Sequence, residues 1–213
     1  MIIGIIREGK TPPDKRVPLT PEQCVEIENR FKCKVVVQPS AIRAYADAEY
    51  EALGLTLSED MSACDVLMGV KEVPKEDLIP EKKYFFFSHT YKKQSYNRDL
   101  LQEVLDKNIQ LIDYEMLTNT KGNRVVAFGR YAGIVGAYNG LRGYGLKTKR
   151  FSLKAANACK DRLEMNAQLG KLKLPNNFKI VITGKGRVAH GAIETLNEAG
   201  IKHVEPQEFI STE

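Results

Sequence analysis

Ionisable side chains collect at four places in this 213-residue sequence, each just after a short apolar run. Arg7 and Arg16 follow Ile2 to Ile6, and Lys71-Glu72 follows Val66 to Val70. Ser88-His89-Thr90-Tyr91-Lys92 follows Tyr84 to Phe87, and Asp113-Tyr114-Glu115 follows Ile109 to Ile112. If the runs are parallel strands, these groups share the carboxyl edge of one sheet, which is where open parallel sheets bind ligands. A solvated strand end or a local salt bridge explains any one of them. Four converging on one edge predict a ligand site. A second candidate is Gly184-Lys185-Gly186-Arg187-Val188-Ala189, entered from an apolar strand at Phe178 to Thr183 and followed by a helical pattern to Gly200 and the start of a further strand. This GxGxxA spacing lets a pyrophosphate approach a helix N-terminus. An acidic residue about 20 positions on should meet the adenosine ribose, and Glu205 sits there. Glu205 favours NAD, while Ala189, Lys185 and Arg187 leave NADP open.

The elements that position these groups alternate between strand-like and helical spacing. Thr20-Pro21-Glu22-Gln23 supplies an N-cap, a first-turn proline and a capping-box glutamine. A helix should follow, with Cys24, Ile27 and Phe31 on one face. Lys34 to Val37 reads as a strand, Ala48 to Leu53 as a short helix, and Gln94 to Asp106 as a helix striped by Leu100, Leu101, Val104 and Leu105. Four or five such units predict a flavodoxin- or Rossmann-like parallel sheet covered on both faces. From Arg130 the helical pattern is interrupted by Gly133, Gly136, Gly140, Gly143 and Gly145. Each interior glycine costs about 0.5–1 kcal/mol relative to alanine, so close approach of a backbone or ligand is expected along that helix. A weak helix is expected around Ala155 to Leu169.

Composition narrows the function class. The chain is 43% apolar and 28% charged, enough for a core and a solvated surface. Its surplus of five positive charges is scattered, which favours anionic small molecules over nucleic acid. Cys24, Cys33, Cys64 and Cys159 lie far apart with no metal-ligand spacing, so reduced thiols and no metal are expected. The apolar start is too short for a signal segment, and Arg130, Asn139 and Arg142 interrupt the glycine-rich stretch. A cytoplasmic location with no membrane contact is the expectation.

Arg16-Val17-Pro18-Leu19-Thr20-Pro21 resembles the entry motif shared by alanine dehydrogenases, the transhydrogenase α subunit and saccharopine dehydrogenases. Gly69-Val70-Lys71-Glu72, Phe87 to Lys92, Leu111 to Glu115 and Arg124 to Gly133 resemble the lysine-forming saccharopine dehydrogenases, and most of all the lysine-ketoglutarate reductase half of the bifunctional lysine-degrading enzymes. The resemblance extends to Val204-Glu205-Pro206 and weakens over Lys147 to Asn177. It implies an NAD- or NADP-dependent oxidoreductase acting on a CH–NH group, interconverting saccharopine with lysine and 2-oxoglutarate.

By that resemblance Lys71 and His89 would move protons around the imine and the secondary amine, and Glu72 would partly offset the effect of neighbouring cations on Lys71. Arg16 and Arg124 would bind substrate carboxylates, and Lys92 and Glu115 would be polar members of the same pocket. Gly184, Gly186, Arg187, Val188, Ala189 and Glu205 would hold the nucleotide. Residues 1–129 would form the substrate domain, 130–177 a glycine-rich connecting helix and linker, and 178–213 the incomplete start of a nucleotide domain, inactive alone. The small-molecule partners would be lysine, 2-oxoglutarate and saccharopine, with oligomeric state open. An alanine dehydrogenase-like enzyme and a non-catalytic domain that binds an amino acid or a partner are the competing readings.

Overall fold

The computed structural model describes residues 1–211, which divide after Val126 into two compact units. In chain order the first holds β1 (Ile2–Ile5), α1 (Pro21–Phe31), β2 (Lys34–Val37), α2 (Asp47–Ala52), β3 (Thr56–Leu57), β4 (Val66–Met68), β5 (Lys83–Phe86), α3 (Arg98–Asp106) and β6 (Gln110–Asp113). The six strands are all parallel, in the order β3-β2-β1-β4-β5-β6. This is the doubly wound order of a Rossmann-like sheet. Strand order reverses beside β1, so the carboxyl ends of β1 and β4 flank the crevice where such sheets hold ligands.

Side chains that alternate along each strand explain why both faces are covered. Ile3, Ile5, Val35 and Val37 point to one face, where Cys24 of α1 and Tyr50 of α2 close over them. Val36, Leu67, Tyr84 and Phe86 point to the other, under Leu100 and Val104 of α3. Full burial of each such large side chain stabilises by about 1.5–3 kcal/mol.

The caps follow the sequence closely. Thr20 Oγ1 accepts from the Gln23 amide at 3.3 Å while Gln23 Oε1 accepts from the Thr20 amide at 2.9 Å. The buried stripes are narrower than the spacing suggests. Phe31, on the last turn of α1, is 59% exposed with the Arg30 guanidinium over its ring, and Leu101 and Leu105 also face outward.

The second unit is helical: α4 (Gly129–Thr148), α5 (Arg162–Leu169), α6 (Arg187–Glu198) and α7 (Pro206–Ser211). Its core joins Ile134, Tyr138 and Leu141 of α4 to Met165 and Leu169 of α5 and Leu196 of α6, with Leu153 from the intervening loop. Asp161 caps α5 by accepting from the Glu164 amide at 2.9 Å, so that helix starts later than Ala155.

The glycines of α4 divide into two kinds. A side chain on Gly133 would collide with the Val188 carbonyl, and one on Gly191 with the Arg130 carbonyl, so α4 and α6 touch backbone to backbone. Gly145 is similarly closed by Phe151, whereas nothing lies within 4 Å of Gly136, Gly140 or Gly143. Close approach therefore accounts for some of the glycines and not for those three.

Two expected strands are not formed. Phe178 to Thr183 has no strand pairing, and Val204-Glu205 leads into α7 instead of a strand. A strand exists by hydrogen bonding to a neighbour, and no strand of the described residues lies beside either segment. Among the described residues no helix is long and apolar enough to cross a membrane.

The two kinds of glycine should respond oppositely to alanine. Gly133→Ala should destabilise the second unit by about 1–3 kcal/mol through overpacking, whereas Gly140→Ala should stabilise it by about 0.5–1 kcal/mol. Amide exchange in denaturant, read peptide by peptide with the first unit as internal reference, measures both. Equal effects at the two positions would contradict the backbone contact.

Candidate active site

The loop after β1 and the loop after β4 meet at the crevice through Glu8, whose carboxylate accepts from the amides of Val70 at 2.6 Å and Lys71 at 2.8 Å. Burial raises the Glu8 pKa above the ordinary carboxylate value, against the pull of those two amides. Beside it Asp14 takes the Arg16 guanidinium in a two-oxygen fork, with Nε at 2.9 and 3.1 Å and Nη2 in a shorter contact. The hydrogen bond from Arg16 holds Asp14 below the usual carboxylate range, and the positive charge of Lys71 adds to that effect. Glu8, Asp14, Arg16 and Lys71 thus form one charged group.

A second group centres on Glu115, only 7% exposed. Its carboxylate meets His89 Nδ1 at 2.9 Å, Lys92 Nζ at 3.1 Å and Arg124 Nη2 at 2.7 Å. Burial by itself would raise its pKa. The hydrogen bonds from His89, Lys92 and Tyr91 and the charge of Arg124 outweigh burial and bring it to about 2. His89 Nε2, on the other side of the ring, lies 3.9 Å from Glu72, and Glu72 accepts from Lys10 Nζ at 2.6 Å. Carboxylates therefore alternate with nitrogen groups from Lys10 through Glu72, His89 and Glu115 to Lys92 and Arg124.

Asp113, the last residue of β6, organises this second group from beneath. One carboxylate oxygen accepts from the Ser88 amide at 3.1 Å, the Ser88 hydroxyl at 2.6 Å and the His89 amide at 3.0 Å. The other accepts from the Glu115 amide at 2.8 Å. His89 is held at φ 58°, a left-handed conformation uncommon for a residue with a side chain. Its ring stacks on Phe87 at 6.3 Å between centroids.

The structure therefore gathers Arg16 and Lys71 in one group and Glu72, His89, Lys92, Glu115 and Arg124 in the other, and the adjacent residues Lys71 and Glu72 join the two. Glu72 turns to Lys10 and His89. Arg7 stands outside both, since its guanidinium pairs with Glu59 at 2.9 Å and the Pro39 carbonyl at 3.3 Å. Sequence reasoning passed over Glu8, Lys10 and Asp14, although the alternation of signs from Arg7 to Arg16 was visible. Each of the three holds a partner expected to face substrate.

In the second unit, Gly184 has φ 89° and Gly186 is the N-cap of α6, with no side-chain cap. Arg187 and Val188 open the helix, with Val188 largely exposed, and Ala189 is buried. Glu205 is exposed at the entry to α7, where its carbonyl accepts from the Phe209 amide at 2.9 Å.

Residues 4–135 match the model of a known family, the alanine dehydrogenase/PNT N-terminal domain. The chain belongs to this family. Within and around it, the chain is 39% identical over 226 residues to the mitochondrial alpha-aminoadipic semialdehyde synthase of Bos taurus, covering 98% of this chain and 24% of that protein. It is 34% identical to the alpha-aminoadipic semialdehyde synthase of Arabidopsis thaliana, covering 98% and 22% respectively. Similarity to the saccharopine dehydrogenase [NAD(+), L-lysine-forming] of Candida glabrata is 31%, over 94% of this chain and 58% of that one. The chain thus spans about a quarter of the synthases it matches. A transhydrogenase structure from Sinorhizobium meliloti shares the fold, with a TM-score of 0.56 at 18% identity over 68% of this chain and 44% of that one.

The Glu115 cluster gives a pH prediction. Because the folded pKa of about 2 lies below the ordinary glutamate value of 4.5, the stability this carboxylate contributes is complete above about pH 4.5. It is lost as pH falls toward 2. Glu115→Gln should be less stable than the wild type at neutral pH, with the gap narrowing across that window. Denaturant midpoints from pH 7 to 2 test this, and a gap independent of pH would mean that the carboxylate charge does not hold the cluster.

Proposed function

We propose that the first unit binds saccharopine, or lysine together with 2-oxoglutarate, and that the protein is an NAD- or NADP-dependent oxidoreductase interconverting them. The observation that carries this reading is the gathering of Arg16, Lys71, His89, Lys92 and Arg124 at the carboxyl edge of the sheet, where carboxylates pair with Arg16, His89, Lys92 and Arg124 and the charge of Lys71 acts on Asp14. The relatives named for this chemistry, the saccharopine dehydrogenases, supply the reaction class.

Saccharopine carries three carboxylates and a secondary amine. Arg124 and Lys92 now share Glu115, and Arg16 holds Asp14, so a substrate carboxylate would compete with an internal one for each cation. Such pairing keeps the cations oriented before substrate arrives, which lowers the ordering cost of binding. Arginine forks suit the carboxylates. His89 would take or return the proton at the secondary amine, its ring oriented by Glu115 through Nδ1. Lys71 would serve the proton transfers of imine formation and hydrolysis.

The residues of the second unit fit a dinucleotide phosphate. Nothing stands within 4 Å of the positions side chains would take at Gly184 and Gly186, and the first turn of α6 has no side-chain cap on its amides. Arg187, Val188 and Ala189 would offer those amides, and Glu205 would address the ribose. When bound, the nicotinamide would supply or accept the hydride at the carbon bonded to the amine.

Lys71→Met and His89→Gln should each lower saccharopine turnover by roughly 10²- to 10⁴-fold with the fold intact. Arg124→Ala should raise the Michaelis constant for 2-oxoglutarate by about 10- to 100-fold, the equivalent of one charged hydrogen bond, and lysine there should rescue it in part. Steady-state kinetics with both nucleotides, set beside alanine and pyruvate, test the assignment. Turnover of alanine in place of saccharopine would replace it with the alanine dehydrogenase reading, and binding of saccharopine without turnover by any preparation would reduce it to a binding domain.

A further inference from the structure

We propose that Glu8 is a positioning residue for Lys71, fixing the lysine's backbone against the carboxyl end of β1. The role assigned to Lys71 rests on the function proposed above, but the contact itself does not. Glu8 Oε1 accepts from Val70 N at 2.6 Å and Oε2 from Lys71 N at 2.8 Å, so both oxygens of one carboxylate are spent on two successive amides. A charged acceptor on two adjacent donors fixes the peptide plane between them, and with it the direction in which the Lys71 side chain leaves the backbone.

The sequence around the contact is adapted to it. Gly69 precedes the two donors, and a side chain there would lie 3.1 Å from Ile6 and 3.4 Å from Glu8 Oε1. The approach to Ile6 is tight and that to Glu8 is an ordinary contact, so the absence of a side chain at Gly69 lets the end of β4 lie close against the end of β1, beside the Glu8 carboxylate. No other pairing of backbone with side chain ties the β1 and β4 loops together this closely among the described residues. The carboxylate also sits among site charges, because Asp14 and Arg16 both act on it. The Tyr114 hydroxyl, buried and without a hydrogen-bond partner among the described residues, feels the charge of Glu8 as well. Glu8 is thus built into the charged group that contains Lys71, which a staple serving stability alone would not require.

The test uses the 213-residue chain and needs no turnover. Glu8→Gln keeps the size and one acceptor, and Glu8→Ala removes both. Labelling with an amine-reactive ester, followed by peptide mass spectrometry, reads the acylation rate of Lys71 against Lys147 and Lys149, two exposed lysines of the second unit. Glu8→Ala should change the relative rate at Lys71 by about tenfold, with Glu8→Gln between it and the wild type. Exchange of the Val70 and Lys71 amides should quicken in the same order. Unchanged Lys71 labelling in both variants would overturn the proposal, whatever the melting temperature does. Where wild-type saccharopine turnover is measurable, both variants should lower kcat by a larger factor than they change the Michaelis constant for saccharopine, since Glu8 acts on Arg16 only through its charge and Arg124 and Lys92 are untouched. The labelling result stands whether or not the 213-residue chain turns over saccharopine, so its failure is distinct from failure of the proposed reaction.

Discussion

All six strands of the first unit run the same way, and this single constraint decides where the charges can go. A parallel sheet buried on both faces has no room for ionised groups along its strands. They are expelled to its ends, and the right-handed crossovers return each chain to the same starting edge. Every loop that leaves a carboxyl end therefore emerges beside its neighbours. Reversal of strand order next to β1 then opens a gap between the β1 and β4 loops, and Glu8, Asp14, Arg16 and Lys71 fill it.

Ionised groups held this closely must be paired, because an isolated charge removed from water costs several kcal/mol. Glu115 meets that requirement with three cationic or potentially cationic neighbours, and Asp113 meets it with four donors from backbone and hydroxyl. The two carboxylates, two residues apart, do different work. Asp113 faces inward and fixes the backbone on which His89 and Glu115 are mounted. Glu115 faces the crevice and fixes side chains. The left-handed conformation of His89 follows from this division, since the Asp113 contacts hold the Ser88 and His89 amides together and turn the chain sharply there.

Much of this was legible in the sequence because it follows local rules. The α1 capping box, the strand runs and the clustering of ionisable groups after them depend on spacing within a few residues. The exposure of Phe31, Leu101 and Leu105 was not legible, since a helix of the right period does not reveal how wide a face its neighbours cover. The partners of the cations were hidden for a different reason. Asp14 lies only two residues from Arg16, but Glu8 and Lys71 are 63 residues apart, and the 26 residues between His89 and Glu115 say nothing of a hydrogen bond. Such pairings depend on strand order, which periodicity does not encode. The expected strands at Phe178 to Thr183 and Val204-Glu205 failed on the same point, for an apolar run becomes a strand only beside another strand.

The glycines of α4 show how one residue type answers two different demands. At Gly133, opposite Gly191, the missing side chain brings two helix backbones into contact, and Thr195 of α6 donates its buried hydroxyl to the Ile134 carbonyl at 3.1 Å across the same interface. Glu194, one residue earlier, pairs with Arg130 at 2.8 Å and with Arg162 of α5, so the close contact is bordered by charge on its exposed side. The GxGxxA string lies at the start of α6, and its third position, Ala189, is buried in this unit, whose regular elements among the described residues are helices. In a dinucleotide fold that third small residue serves close packing of helix on strand. Here Gly191 of α6 serves packing of helix on helix and Gly184 is explained by its φ of 89°, whereas a side chain at Gly186 would meet nothing within 4 Å, so packing does not account for that glycine. What packing and backbone conformation leave unexplained at this turn is therefore Gly186, with the uncapped amides of α6 behind it.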